Sequence, residues 1–150
     1  RACREGQGTA GQEVTVLLDS YAFIAYLLDE PAAPLVQRML WDGDLAMSAV
    51  QLAEVVDRME RVHGVPADEI EVAVSALGID VLVADYPVGA EAGRLRARHY
   101  GPTGRTLSLA DSVCAATAVL GGLSVATADP VLLEVAVAEG CSVVRLPSAA

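Results

Sequence analysis

The stretch Leu107–Asp129, LSLADSVCAATAVLGGLSVATAD, holds one charged residue, Asp111, then seventeen uncharged positions from Ser112 to Ala128, then Asp129. Gly121-Gly122 divides it. Before the glycines, apolar residues recur at helical spacing: with Leu109 at zero, Val113, Ala116 and Leu120 share its face, while Ala115, Ala118 and Val119 cover the others. The pattern predicts a helix buried nearly all round. After the glycines, Leu123–Ala126 reads as a short buried strand closed by an acid. The uncharged run is just under bilayer length and the glycine pair breaks it, so a buried helix followed by a strand is the better reading than a membrane span. A lone carboxylate on such a helix is costly unless a cation or a hydrogen-bond donor meets it.

Working outward, the same alternation recurs. Val14–Leu18 is an apolar run ending in Asp19-Ser20, as a buried parallel strand would be. Helices are expected at Ser20–Leu28, stopped by Asp29-Glu30-Pro31, and at Pro34–Trp41, ended by Asp42-Gly43-Asp44. Leu45–Met47 is a brief strand. Ser48 and Gln51 form a capping box opening a helix to about Val62, with Leu52, Val55, Val56 and Met59 as its core stripe and His63-Gly64 at its end. Pro66–Leu77 is helical, Ile79–Val83 a strand, and Pro87–His99 a helix carrying Glu91, Arg94, Arg96 and Arg98. Gly101-Pro102-Thr103-Gly104 is a loop. Val131–Ala138 is helical, Gly140 caps it, and Ser142–Val144 is the last strand. Strands alternating with helices make one α/β domain with a mainly parallel sheet. Phe23 and Trp41 are read as core residues rather than base-stacking platforms.

Composition supports this. At 150 residues with 53% apolar and 20% charged positions, one domain suffices and disorder is excluded. All ten cationic side chains are arginine, against twenty acids, for a net charge of −10. That opposes sequence-independent attraction to nucleic acid, yet leaves room for an enzyme that meets a polyanion through a divalent metal and a few arginines. It also favours a basic protein partner. Cys3, Cys114 and Cys141 lack C-x-x-C spacing and make neither a zinc site nor a disulfide framework, which suits a reducing cytoplasm. The polar, Gly-rich residues 1–12 are read as a loose arm or a non-native remnant, and 13–150 as the domain.

In open parallel sheets, functional groups gather at the carboxyl ends of strands. Asp19 ends the first strand and Asp129 follows the fourth. Asp111 and Glu54 sit in early turns of helices, from which a side chain can reach the same crevice. Carboxylates about 4 Å apart repel by on the order of 4 kcal/mol at an effective dielectric near 20, so an all-oxygen acidic cluster implies Mg²⁺ or Mn²⁺. Each acid also has a structural reading. Asp19 and Asp129 suit helix caps, Asp111 a capping pair with Ser108, and Glu54 a solvated face with Arg58 at i+4.

The series LLDS, SAVQLAEVV, LSLADSVCAATA and VATAD resembles the PIN-domain ribonucleases, in particular the VapC-type toxins of toxin–antitoxin pairs, over roughly Val14–Leu146. The resemblance implies a five-stranded parallel sheet flanked by helices, with Asp19, Glu54, Asp111 and Asp129 as catalytic metal ligands. It implies Mg²⁺- or Mn²⁺-dependent hydrolysis of RNA phosphodiester bonds, a homodimer, and silencing by a cognate antitoxin protein. A small hydroxyl often stands two residues after the first acid in that family; here Tyr21 does, with Ser20 one residue earlier. Ser20 and Thr127 are the candidates for positioning water or metal. Arg94, Arg98 and Arg105 are candidate RNA-phosphate contacts, since guanidinium forks suit phosphate oxygens. Arg94 and Arg98 also suit a solvated helix face paired with Glu91, which leaves Arg105, just before the acidic helix, the best of the three.

Rival readings fare less well. A receiver domain needs a lysine after its last strand, and the chain has no lysine. Asp19-Ser20-Tyr21 is not Asp-x-Asp, and no dinucleotide or P-loop glycine motif follows a strand. The alternative kept beside the ribonuclease is a catalytically silent PIN-like module that docks a protein partner.

Overall fold

The computed structural model describes residues 14–101 and 106–149. The expected arm at 1–12, Cys3 and Arg105 lie outside the described residues. Five strands and seven helices alternate: β1 (Val16–Leu18), α1 (Ser20–Leu27), α2 (Ala33–Asp42), β2 (Leu45–Ser48), α3 (Ala49–His63), α4 (Ala67–Ala76), β3 (Asp80–Leu82), α5 (Tyr86–His99), α6 (Leu109–Gly121), β4 (Ser124–Thr127), α7 (Pro130–Ala138) and β5 (Val143–Arg145). All four strand pairings are parallel, in the order β3-β2-β1-β4-β5.

Side-chain alternation along these short strands builds two cores. Leu17, Ala46 and Val125 point to one face and join α5, α6 and α7 through Leu95, Ala115 and Leu132. Leu18, Met47 and Ala126 point to the other and join α1 to α4 through Phe23, Val36, Val55 and Ile70. Leu17, Leu18, Phe23, Met47 and Val55 are wholly buried, each contributing about 1.5–3 kcal/mol by leaving water. Because both faces are covered, the strands read as continuous apolar runs rather than alternating ones.

The helix ends follow their sequence signals. Ser48 caps α3 by accepting the Gln51 amide at 3.3 Å. Gly64 ends that helix at φ 68°, a left-handed conformation that Cβ-bearing residues adopt at a cost. Two expectations fail. Trp41 is 78% exposed at the end of α2, not in the core. The helix α2 buries Ala33 and Val36 and packs Met39 and Leu40 on the core, which leaves Trp41 on the outward side of the last turn. The helix α6 is wholly buried only from Ser112 to Ala118; Leu109 and Leu120 at its ends stand out from the layer, 66% and 53% exposed. Apolar composition alone does not show where a helix runs past the sheet it covers.

The chain turns from β1 to β2 and β3 on one side, then crosses back to β4 and β5 on the other. The switch point therefore lies between the carboxyl ends of β1 and β4, where open sheets hold their ligands.

Candidate functional site

Asp19 follows β1 at that switch point. Its amide donates to the Ala126 carbonyl of β4 at 3.2 Å, continuing the ladder by one residue. Its carboxylate then turns back to cap α1, accepting the Ala22 amide at 2.7 Å. The other carboxylate oxygen accepts the hydroxyl of Thr127, the last residue of β4. That hydroxyl in turn accepts the Asp129 amide at 2.9 Å. Asp19 is 4% exposed and Thr127 not at all, while Asp111 and Asp129 beside them are half-buried. Burial pushes the Asp19 carboxyl from an ordinary 3.8 to about 7, against the downward pull of the Thr127 and Ala22 hydrogen bonds; the charges of Asp111 and Asp129 push the same way.

Asp111 occupies the first turn of α6. Ser108 caps that helix, its hydroxyl accepting the Asp111 amide at 2.9 Å and donating to the Asp111 carboxylate at 2.7 Å. Burial raises the Asp111 carboxyl above its usual range, and Asp129 raises it further, while Ser108 pulls it back. Asp129 caps α7 by accepting the Leu132 amide at 2.8 Å. Three acids thus meet around one corner, each steadied by the positive end of its own helix.

Glu54 differs. It is exposed on α3, away from the buried stripe of Val55 and Met59. No hydrogen bond or ion pair joins it to Arg58 among the described residues, so the expected i,i+4 pair does not form. Asp57 and Arg61 pair instead, through two hydrogen bonds of 2.8 and 3.1 Å. Glu54 lines a cavity of about 310 Å³ together with Ser20, Tyr21 and Arg58, which puts it beside the residue that follows Asp19. Its charge reaches the same interior: the buried Cys114 thiol is pushed well up by burial first, then by Asp19, Asp111 and Glu54.

Among the described residues no three Asp, Glu, His or Cys side chains stand together as a ready ligand set. The reason lies in the caps. Asp19, Asp111 and Asp129 are each turned onto the start of their own helix. The donors nevertheless fit a hard divalent cation: all are oxygens, and Asp19 is a buried carboxyl whose charged form is opposed by two neighbouring carboxylates and by dehydration.

One residue of this region is read from sequence only as a cap. The buried side chain of Gln51 accepts the Ser48 hydroxyl and donates to the Ala110 carbonyl at 2.8 Å. It thereby ties the helix carrying Glu54 to the residue before Asp111. Its position in a capping box was the available signal; its reach to α6 is tertiary. Tyr21, at the place of the family's small hydroxyl, donates to the Pro147 carbonyl at 2.7 Å.

The arginines are mostly engaged. Arg94 pairs with Glu91 at 3.1 Å, and Arg98 with Glu139 at 2.6 Å. Arg96 donates through Nε to the Leu107 carbonyl at 3.1 Å and lies over the Tyr100 ring at 4.9 Å. No helix of the described residues is long and apolar enough to cross a membrane.

The PIN domain family model matches residues 16–138. Among solved structures, the chain is similar to one described as FitAB bound to an IR36 DNA fragment, with 26% identity over 87% of this chain and 94% of that one and a TM-score of 0.66. It is similar in fold to Mycobacterium tuberculosis VapC20, described as a sarcin-ricin-loop-cleaving toxin, with 17% identity over 87% and 98% of the chains and a TM-score of 0.66. It also resembles DNA-bound VapBC from Salmonella typhimurium, with 17% identity, 88% and 98% coverage and a TM-score of 0.62. A comparison with curated proteins by sequence gave no match.

Proposed function

The chain belongs to the PIN-domain family, and on that premise we propose that it is a Mg²⁺- or Mn²⁺-dependent endoribonuclease. We read it as the toxin of a toxin–antitoxin pair, acting as a cytoplasmic homodimer and silenced by a cognate antitoxin. The observation that carries the reading is the corner at the ends of β1 and β4. A carboxyl raised to about 7 by burial and by two neighbouring acids marks a site short of positive charge. A solved structure described as a toxin–antitoxin complex from Klebsiella pneumoniae supports the partner class, and VapC20, described as a sarcin-ricin-loop-cleaving toxin, supports the chemistry.

Asp19, Asp111 and Asp129 would hold the cation from the corner, and Glu54 from the flank of α3. A bound Mg²⁺ or Mn²⁺ supplies positive charge against the phosphodiester oxygens and makes an attacking water more acidic. Thr127 fixes one oxygen of Asp19 while the Ala22 amide fixes the other, so the carboxylate is oriented before substrate arrives. Ser20, one residue on and lining the cavity with Glu54, is the hydroxyl available to orient water. For Arg94 and Arg98 to take RNA phosphates, Glu91 and Glu139 would have to release them.

The silent-module reading is favoured by one observation, the absence of a ready three-carboxylate ligand set among the described residues. One experiment separates the two: structured RNA is incubated with purified protein and Mg²⁺ or Mn²⁺, with EDTA controls. Cleavage by wild type and its loss in Asp19→Asn is the expected result. Equal cleavage by both proteins, or by neither, removes the ribonuclease reading.

A further inference from the structure

Another cavity lies at the end of α5, beside the start of α6. It measures about 450 Å³ and is lined by Gly93, Arg96, Ala97, Tyr100 and Leu109, within the size range of small-ligand sites. Its lining has an arginine and no acid. Other cavities on the described residues carry acids, as Glu54 and Asp57 beside Arg58, Asp42 and Asp44 beside Arg38, or Glu139 with no arginine. In a chain of net charge −10, a cation in an acid-free cavity stands out against its surroundings.

The walls are also suited to a flat ring. Tyr100 is 54% exposed and Leu109 66% exposed, so aromatic and aliphatic surface faces water on both sides of the opening. The Arg96 guanidinium is fixed by its Nε bond to Leu107 and by its position over the Tyr100 ring. Gly93 and Ala97, one helical turn apart on α5, keep the floor low. Unpaired nucleobases are bound by stacking on aromatic rings and guanidinium planes.

We propose that the Tyr100–Arg96–Leu109 cavity is a stacking subsite for an unpaired base of the RNA substrate. The proposal rests on the ribonuclease reading and adds that part of the recognised RNA is single-stranded. Leu109 opens the helix that carries Asp111 two residues later, so strand held here is tethered to the element that bears one of the catalytic acids.

The test uses a short fluorescein-labelled single-stranded RNA. Its Kd is read by anisotropy in the uncleaving Asp19→Asn protein with Mg²⁺, and KM and kcat for cleavage are read in wild type. Tyr100→Ala should weaken binding about tenfold or more and raise KM with kcat held, whereas Tyr100→Phe should behave as the parent. Gly93→Leu supplies a variant that keeps its fold. A Cβ at Gly93 meets nothing within 4 Å, and leucine favours a helix over glycine. It should fill the cavity and weaken binding as Tyr100→Ala does, melting at or above the parent temperature. If Tyr100→Ala and Gly93→Leu both bind and cut like their parents, the subsite is overturned and the ribonuclease reading stands. If wild type neither binds nor cuts RNA, both fall together.

Discussion

Asp19 and Glu54 are both proposed to reach one cation, yet they live in opposite environments. Asp19 is sealed between two strand ends, with both carboxylate oxygens engaged and its carboxyl raised to about 7. Glu54 stands exposed on α3, at the rim of a cavity shared with Ser20. The difference teaches that exposure decides what a carboxylate costs the fold. Asp19 is buried and its ionised form works against folding stability. Glu54 stands in water, where its replacement should change stability little.

The largest test of that contrast is Asp19→Asn. RNA cleavage should fall by at least about a hundredfold, since even residues that only support a metal ligand cost 10–100-fold. Stability should move the other way. A carboxyl moved from 3.8 to about 7 destabilises the ionised folded state by on the order of 4 kcal/mol at 1.36 kcal/mol per pH unit. Without metal and above pH 7, the asparagine variant should therefore unfold at a higher denaturant concentration, less whatever its altered bond to Thr127 costs. A variant that is both inactive and less stable would deny that Asp19 is held against its preference.

A second test reads the same cost through pH. The folded chain keeps the Asp19 proton to about 7, the unfolded chain only to 3.8. Between those values the folded state binds more protons, so stability falls as pH rises through the window and levels off above it. Asp111, raised in the same direction, adds to the slope. The melting temperature of EDTA-treated protein should drop from about pH 5 to about pH 8, and Mn²⁺ should recover most of the loss at the upper end. A flat profile would place Asp19 in an ordinary aqueous setting.

Thr127→Val probes the joint between the strands. It removes the donor to Asp19 and the acceptor for the Asp129 amide, leaving buried groups unpaired at about 1–3 kcal/mol. Chemical denaturation should show that loss, together with reduced cleavage, and a neutral result would make the Asp19–Thr127 contact ornamental. The smallest stability effect is expected at Glu54. Glu54→Gln should shift unfolding by less than about 0.5 kcal/mol while lowering cleavage and Mn²⁺ affinity in isothermal titration. If cleavage survives, Glu54 belongs to the solvated face of α3 and the cation is held by the corner alone.

Much of this was legible beforehand. The parallel strands, the helix caps at Ser48 and Ser108, and the placing of Asp19 and Asp129 after strands all follow from local pattern. The structural readings hold as well: Asp19 and Asp129 cap their helices, and Asp111 pairs with its cap Ser108. What failed was inference from apolar character to burial. Trp41 is exposed because it lies on the outward side of α2, and Leu109 and Leu120 because they stand at the two ends of α6. The pairing of Arg94 with Glu91 was legible at i,i+3 spacing, whereas Arg98 is met by Glu139 at the end of α7, forty-one residues on.

The sequence by itself determined the elements, their order and the acids that close the strands, since these depend on period, turn chemistry and capping within a few residues. Only the tertiary structure decided that β1 and β4 are neighbours, which brings Thr127 onto Asp19 across a separation of 108 residues. It likewise decided that Gln51 spans from α3 to α6, and that Arg96 is left over Tyr100 in an acid-free cavity. Burial and charge coupling act through space and fall off over a few ångströms. A carboxyl near 7 at Asp19 is therefore a property of the packed corner, and no spacing along the chain encodes it.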